Sequence, residues 1–141
     1  MMNANVNIWA VLVAALATFL LGGFWYSPAL FGKLWAREAG VDPAAVEKKA
    51  EKKGQKHPAM VFFLAYVFSV IAAYALAVLL GPNPETVPAV KLGLMVGACF
   101  VATSFGINYQ FAGKSFLLLL IDGGYHIVQF VLFGLILGVW P

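Results

Sequence analysis

The sequence predicts an all-α, polytopic membrane fold: four transmembrane helices, with a short interfacial helix in the first loop. Three observations carry this. Of 141 residues, 62% are hydrophobic and only 11% are charged, whereas a soluble domain carries about 25% charged residues. The apolar residues fall into four runs, at about residues 6–26, 59–80, 90–109 and 115–138, each reaching about 30 Å as a helix, the thickness of a bilayer's hydrocarbon core. The breaks between the runs hold most of the Pro and Lys. A single transmembrane domain over residues 1–141 is expected, with no separate soluble module. The positive residues are clustered, so the net charge of +3 reports topology before it reports a partner, and nucleic acid is not an expected one. Cys99 is the sole cysteine and leaves the redox compartment unreadable.

The first run competes with a cleaved signal peptide, since Ala15-Leu16-Ala17 faintly resembles a cleavage site. Met1 to Asn7 contains no Lys or Arg, so the charged n-region is missing and a membrane helix is the better reading. After it, Ser27 is placed to cap a helix opening on Pro28. Leu30, Phe31, Leu34 and Trp35 then share a face while Lys33 and Arg37 fall elsewhere, the pattern of a helix lying in the interface. Asp42-Pro43 opens a second, polar stretch, an exposed helix or a partly ordered linker. Its Lys48, Lys49, Lys52, Lys53 and Lys56 could touch anionic lipid heads; a solvated topogenic charge cluster is the simpler reading. Ser115 caps the fourth helix.

Lysine placement sets the orientation. The loop at residues 27–58 is strongly basic and the third loop holds Lys114, whereas residues 81–89 hold no Lys or Arg. The positive-inside rule puts the basic loops in the cytoplasm and both termini outside the inner (plasma) membrane. Lys91 runs against this pattern but can snorkel from a helix end. Trp25, Tyr26, Trp35 and Tyr109 then mark the cytoplasmic interface, and Trp9 and Trp140 the outer one.

Two features hint at a duplication into two parallel helical hairpins. Gly23 to Lys33 resembles Gly106 to Lys114: each has a tyrosine three residues past a glycine and then reaches Gly-Lys. An offset of 57 places Leu80-Gly81 on Leu137-Gly138. Shared interfacial composition explains the likeness equally well. Small residues recur every four positions as Ala10, Ala14, Thr18 and Gly22, as Ala65, Ser69, Ala73 and Ala77, as Gly93 and Gly97, and as Ala98, Ala102 and Gly106. Such seams let helices pack closely in lipid, and Gly134-x-x-x-Gly138 adds another contact. The offset maps Ala65 onto Asp122 and Ser69 onto His126.

The fourth run carries the candidate site. Asp122, His126 and Gln129 lie three or four residues apart and so share one helix face. An ionisable group at that depth is costly unless it faces the bundle interior or water. Asp122 lies roughly 10 Å from the helix start, with His126 one turn deeper. The pair could pass protons or fix a small cation. Equally, the two could bond each other, Asn108, Tyr109 or Trp25, with Tyr125 nearby, and simply lock the bundle. A metal ion would find too few ligands here, and haem no second axial ligand. His57 beside Pro58 reads as interfacial. No nucleophile motif, phosphate loop or carboxylate pair is present, so no enzyme and no cofactor is expected.

Two stretches, GFWYSPALFGKLW (Gly23 to Trp35) and NYQFAGKSFLLLLIDGGYHIVQFVLFGLILGVW (Asn108 to Trp140), together resemble the DUF1761 family, a domain of unknown function; the second, with Asp122-Gly-Gly-Tyr125 inside a membrane helix, is the more specific. The resemblance covers essentially the whole chain and implies a small four-helix bacterial or archaeal inner-membrane protein, without an established activity. From the residues, the leading expectation is small-solute or proton-linked transport by a homo-oligomer in the lipid bilayer. The alternative is a structural or regulatory subunit that binds another membrane protein.

Overall fold

A computed structural model describes residues 5–41 and 57–141, all of them helix, turn or loop. The elements are α1 (Ile8–Trp25), α2 (Gly32–Ala39), α3 (Pro58–Leu80), α4 (Thr86–Ala112) and α5 (Phe116–Val139). Four of them, all but α2, are long and apolar enough to cross a membrane. The polar stretch opened by Asp42-Pro43, with the lysines from Lys48 to Lys56, lies outside the described residues.

Helix starts follow local chemistry. Asn7 Oδ1 accepts from Ala10 N at 3.2 Å, His57 Nδ1 from Ala59 N at 3.1 Å, and Ser115 Oγ from Leu118 N at 3.1 Å, each satisfying an amide that the helix leaves free. Pro58 follows its cap directly, where its missing N–H costs nothing. The third span is longer than the sequence pattern implied. It starts at Thr86 because Pro88 sits in the first turn, where no amide needs a helical partner. A π turn at Gly97–Val101 interrupts it.

The interfacial helix also departs from expectation, starting at Gly32 and not at Pro28. Ser27 does not cap: its Oγ donates to Phe24 O at 2.7 Å. Its carbonyl receives Leu30 N at 3.0 Å and Gly32 N at 2.9 Å, while Phe31 N donates to Trp25 O at 3.1 Å. The segment therefore winds back over the end of α1 before α2 begins. Gly40, at φ 69°, closes α2, with Val41 N reaching back to Ala36 O at 2.9 Å, the two-bond glycine stop common at helix ends.

α5 is the hub. It packs along α4, against α1, and touches α2 and α3, whereas α3 pairs chiefly with α1. α4 and α5 interlock through glycines contributed by both. A Cβ on Gly93 would lie 2.1 Å from Phe130 O, on Gly97 2.9 Å from Ile127 Cα, on Gly134 2.3 Å from Ala89 O, and on Gly138 2.7 Å from Thr86 Cα. Thr86 Oγ1 also donates to Gly138 O at 3.1 Å. With no side chain at these points, the backbones approach closely enough for dispersion to hold the pair in an apolar solvent. On the other side, Ala10, Ala14 and Thr18 of α1 and Ser69, Ala73 and Ala77 of α3 are buried, around Val11, Leu76 and Phe133. Ala65, at the open end of the α3 seam, is exposed.

Candidate functional site

Two glycines and two tyrosines place Asp122. In the run Asp122-Gly-Gly-Tyr, a Cβ on Gly123 would meet Ala102 of α4 at 3.4 Å, and one on Gly124 the Trp25 ring at 3.3 Å. Gly124 thus makes room for the end of α1, whereas a Cβ at Gly123 would only make ordinary contact with α4. Trp25 Nε1 donates to Ile121 O at 3.0 Å, and Tyr125 Oη to Thr18 O at 2.9 Å. Gly22 makes room for that phenol: its Cβ would lie 3.2 Å from Tyr125 Oη.

Asp122, only 8% exposed, then receives one phenol on each oxygen. Tyr26 Oη donates to Oδ1 at 2.6 Å, and Tyr109 Oη donates to Oδ2. Phenol donation to a carboxylate is a short, charge-assisted contact, the strong kind of hydrogen bond. The donors come from the turn after α1 and from α4, so Asp122 ties three elements together.

His126, one turn on, belongs to a second set of contacts. Its ring stacks on Phe105 (centroids 4.9 Å apart, planes at 20°) and meets Tyr125 edge-on at 5.0 Å. Its Nδ1 lies 2.7 Å from Gln129 Oε1, and Gln129 Nε2 donates to Ser69 Oγ at 3.4 Å. Asp122 and His126 bond different partners and not each other. Among the described residues, every buried side-chain nitrogen and oxygen is satisfied. From Asp122 to Gln129 the polar row climbs about 10 Å along α5.

The structure thus gathers five of the six candidates: Asp122, His126, Gln129, Tyr125 and Trp25. The sixth, Asn108, is exposed on α4 and has no hydrogen bond to the cluster among the described residues. Of the interfacial residues, Lys33 and Arg37 are exposed, while Trp35 is half-buried and meets the Tyr26 ring edge-on at 5.9 Å. Sequence reasoning missed Tyr26, read only as an interface marker, and Ser69, read only as packing. Signals for both were present: the doubled Gly-x-x-Tyr spacing pairs Tyr26 with Tyr109, and the offset of 57 pairs Ser69 with His126. No group of three His, Cys, Asp or Glu side chains comes together among the described residues. An apolar groove runs between α4 and α5, lined by Ala102, Gly106, Leu119, Gly123 and Ile127, and Asp122 is not part of its wall.

A hub helix whose buried carboxylate is held by phenols from its neighbours, among four helices long and apolar enough to cross a membrane, points to a multi-pass membrane protein of the small helical-bundle class. The model of one family, described as protein of unknown function (DUF1761), matches residues 9–138. The chain belongs to that family. No curated protein and no solved structure matches it.

Proposed function

We propose that the protein moves protons, alone or with a small solute, across the inner membrane as a homo-oligomer, and that it catalyses no covalent reaction. One observation carries the reading: a row of exchangeable groups (Tyr26 and Tyr109, Asp122, His126, Gln129, Ser69) that starts at the turn after α1 and runs inward along the hub helix. Carboxylates and histidines inside membrane spans mark proton and ion routes in pumps and transporters, and imidazole is the side chain whose ordinary titration falls in the physiological range. In this reading the phenols close the cytoplasmic mouth of the row, and displacement of Tyr26 opens Asp122. One protomer supplies too few helices to line a path, so copies associate. The basic loop faces the cytoplasm and both termini face out; nucleic acid has no part.

The test is flux. Vesicles containing the purified protein and a trapped pH dye should relax an imposed proton gradient faster than empty vesicles, and Asp122→Asn should remove most of the difference. Wild-type vesicles that match empty ones under every gradient and solute tried would end the proposal.

A second reading, a structural or regulatory subunit, is favoured by α4. Its outer face leaves Phe100, Ser104, Ile107, Asn108 and Phe111 exposed, and polar side chains on a membrane helix attract neighbouring helices. Mild extraction should then yield a stoichiometric second protein. A pure homo-oligomer would count against it.

A further inference from the structure

α2 is held to the site by contacts that leave it little freedom. Gly32 backs onto Tyr26 so closely that a Cβ there would lie 2.3 Å from the Tyr26 carbonyl oxygen. The Trp35 ring meets the ring of the same tyrosine at 5.9 Å, and Phe31, just before the helix, packs on Trp25 at 5.0 Å. Tyr26 in turn donates to Asp122. α2 therefore cannot leave its seat without disturbing the phenol that covers one carboxylate oxygen. Its aromatic side is spent on the protein, unlike that of an ordinary interfacial helix, whose apolar face enters lipid. What remains outward is Lys33 and Arg37, one helical turn apart and both exposed. Among the described residues the acid close by is Glu38, whose Oε1 is 3.7 Å from Arg37 Nη2; the arginine side chain is 69% exposed and the glutamate 23%, too loose and too wet a pair to occupy the guanidinium.

We propose that Lys33 and Arg37 bind the phosphate groups of anionic phospholipids, and that this contact seats α2 as a strap holding Tyr26 over Asp122. A helix that presents exposed basic side chains to the membrane responds to lipid charge. Anionic lipid thus keeps the carboxylate covered, and its depletion lets the strap lift. The inference deepens the transport reading, since it regulates the same Asp122, but its test needs no flux.

The full-length protein is placed in nanodiscs of phosphatidylcholine alone or with phosphatidylglycerol. Carbodiimide modification of Asp122 is followed by peptide mass spectrometry, with exposed Glu85 as internal reference. The wild type should react more slowly in the anionic discs, by up to about thirtyfold, roughly fivefold for each basic side chain near an anionic surface. The double variant Lys33→Gln/Arg37→Gln, which changes only exposed side chains and keeps the lysines from Lys48 to Lys56, should lose that dependence. Gly32→Ala should react fast in both discs. Soluble glycerol phosphate added to phosphatidylcholine discs should not protect. Equal wild-type rates in the two lipids, full lipid dependence in the double variant, or a Gly32→Ala variant as protected as wild type would each overturn the proposal; protection by glycerol phosphate would overturn its assignment to lipid. Absence of proton flux in vesicles would sink the transport reading and leave these rates standing.

Discussion

Removing one phenol oxygen from the Asp122 cluster should cost a definite amount, and the cost should depend on the carboxylate. In Tyr109→Phe the ring keeps its edge-on contact with Phe105 at 5.7 Å, so packing is preserved and only the donor to Oδ2 is lost. A hydrogen bond to a charged group contributes about 1.5–3 kcal/mol in water-soluble proteins. Between membrane helices the measured mean is about 0.6 kcal/mol and the maximum about 1.7, because an unfolded chain in lipid also finds partners. The second scale applies here, and its upper part, since Asp122 is 8% exposed and water cannot replace the phenol: about 1–1.7 kcal/mol. Asp122→Asn keeps one carbonyl oxygen and gains donors, so one of the two phenols loses its acceptor at a similar cost. The two changes remove overlapping bonds and should not add. Unfolding by SDS in mixed micelles, followed by tryptophan fluorescence with Trp25 and Trp35 beside the cluster, gives the four corners of the cycle. A coupling of about 1 kcal/mol is expected. Costs that add to within about 0.3–0.5 kcal/mol, the scatter of independent sites, would refute the bond network and with it the account of how Asp122 is held.

Two further changes probe the frame around the site. Gly134→Val puts a side chain where even a Cβ lies 2.3 Å from Ala89 O, so α4 and α5 must part; a loss of about 1–3 kcal/mol or more is expected, against little for Gly123→Ala, whose Cβ would sit 3.4 Å from Ala102, and the same SDS titration compares them. Gln129→Leu strips the partner from His126 Nδ1 and from Ser69 Oγ, which should cost about 0.6–1.7 kcal/mol for each hydrogen bond lost; a thermal midpoint equal to wild type in detergent would show that the Gln129–Ser69 bond does not hold α5 to α3.

What the sequence made legible was whatever repeats along one helix. Four apolar runs of membrane length mark α1, α3, α4 and α5, and the four-residue spacing of Ala10, Ala14 and Thr18 marks the buried face of α1, because the helical period turns spacing into a side. Asp122, His126 and Gln129 were visible for the same reason. The turn at Tyr26 to Phe31 was not. Ser27 before Pro28 carries the local signature of a helix start, yet the carbonyls of Trp25 and Ser27 capture the following amides and delay α2 to Gly32. The turn is backed by contacts between residues six apart, Gly32 against Tyr26 and Phe31 against Trp25, which the capping signature at Ser27-Pro28 does not encode. The π turn at Gly97–Val101 was likewise hidden, since it adds one residue to a turn without changing the apolar character of the run. Asn108 misled because composition showed a polar residue near Tyr109 but not which way it faces: adjacent helix positions point about 100° apart, and turning Tyr109 toward Asp122 sends its neighbour outward.

The doubled Gly-x-x-Tyr spacing acquires a physical meaning at Asp122. Gly23 and Tyr26 close the first span, Gly106 and Tyr109 close the third, and the two phenols end on the two oxygens of a single carboxylate. Two similar helix ends thus serve one acceptor, and at the offset of 57 α3 has an alanine, Ala65, where α5 has the acid. Ala65 is exposed and so is no counterpart of the buried acid. The equivalence of the two tyrosines is broken by what stands behind each. Tyr109 rests within a continuous helix, against Phe105 of the preceding turn, so its position follows the α4–α5 glycine seam. Tyr26 lies in a turn whose shape depends on Gly32 and Trp35 of α2, a helix bearing exposed basic charge beside the site. Of the two donors on Asp122, one is therefore fixed by the bundle and the other by a segment that can answer to the membrane surface, which makes Oδ1 the side of the carboxylate that opens.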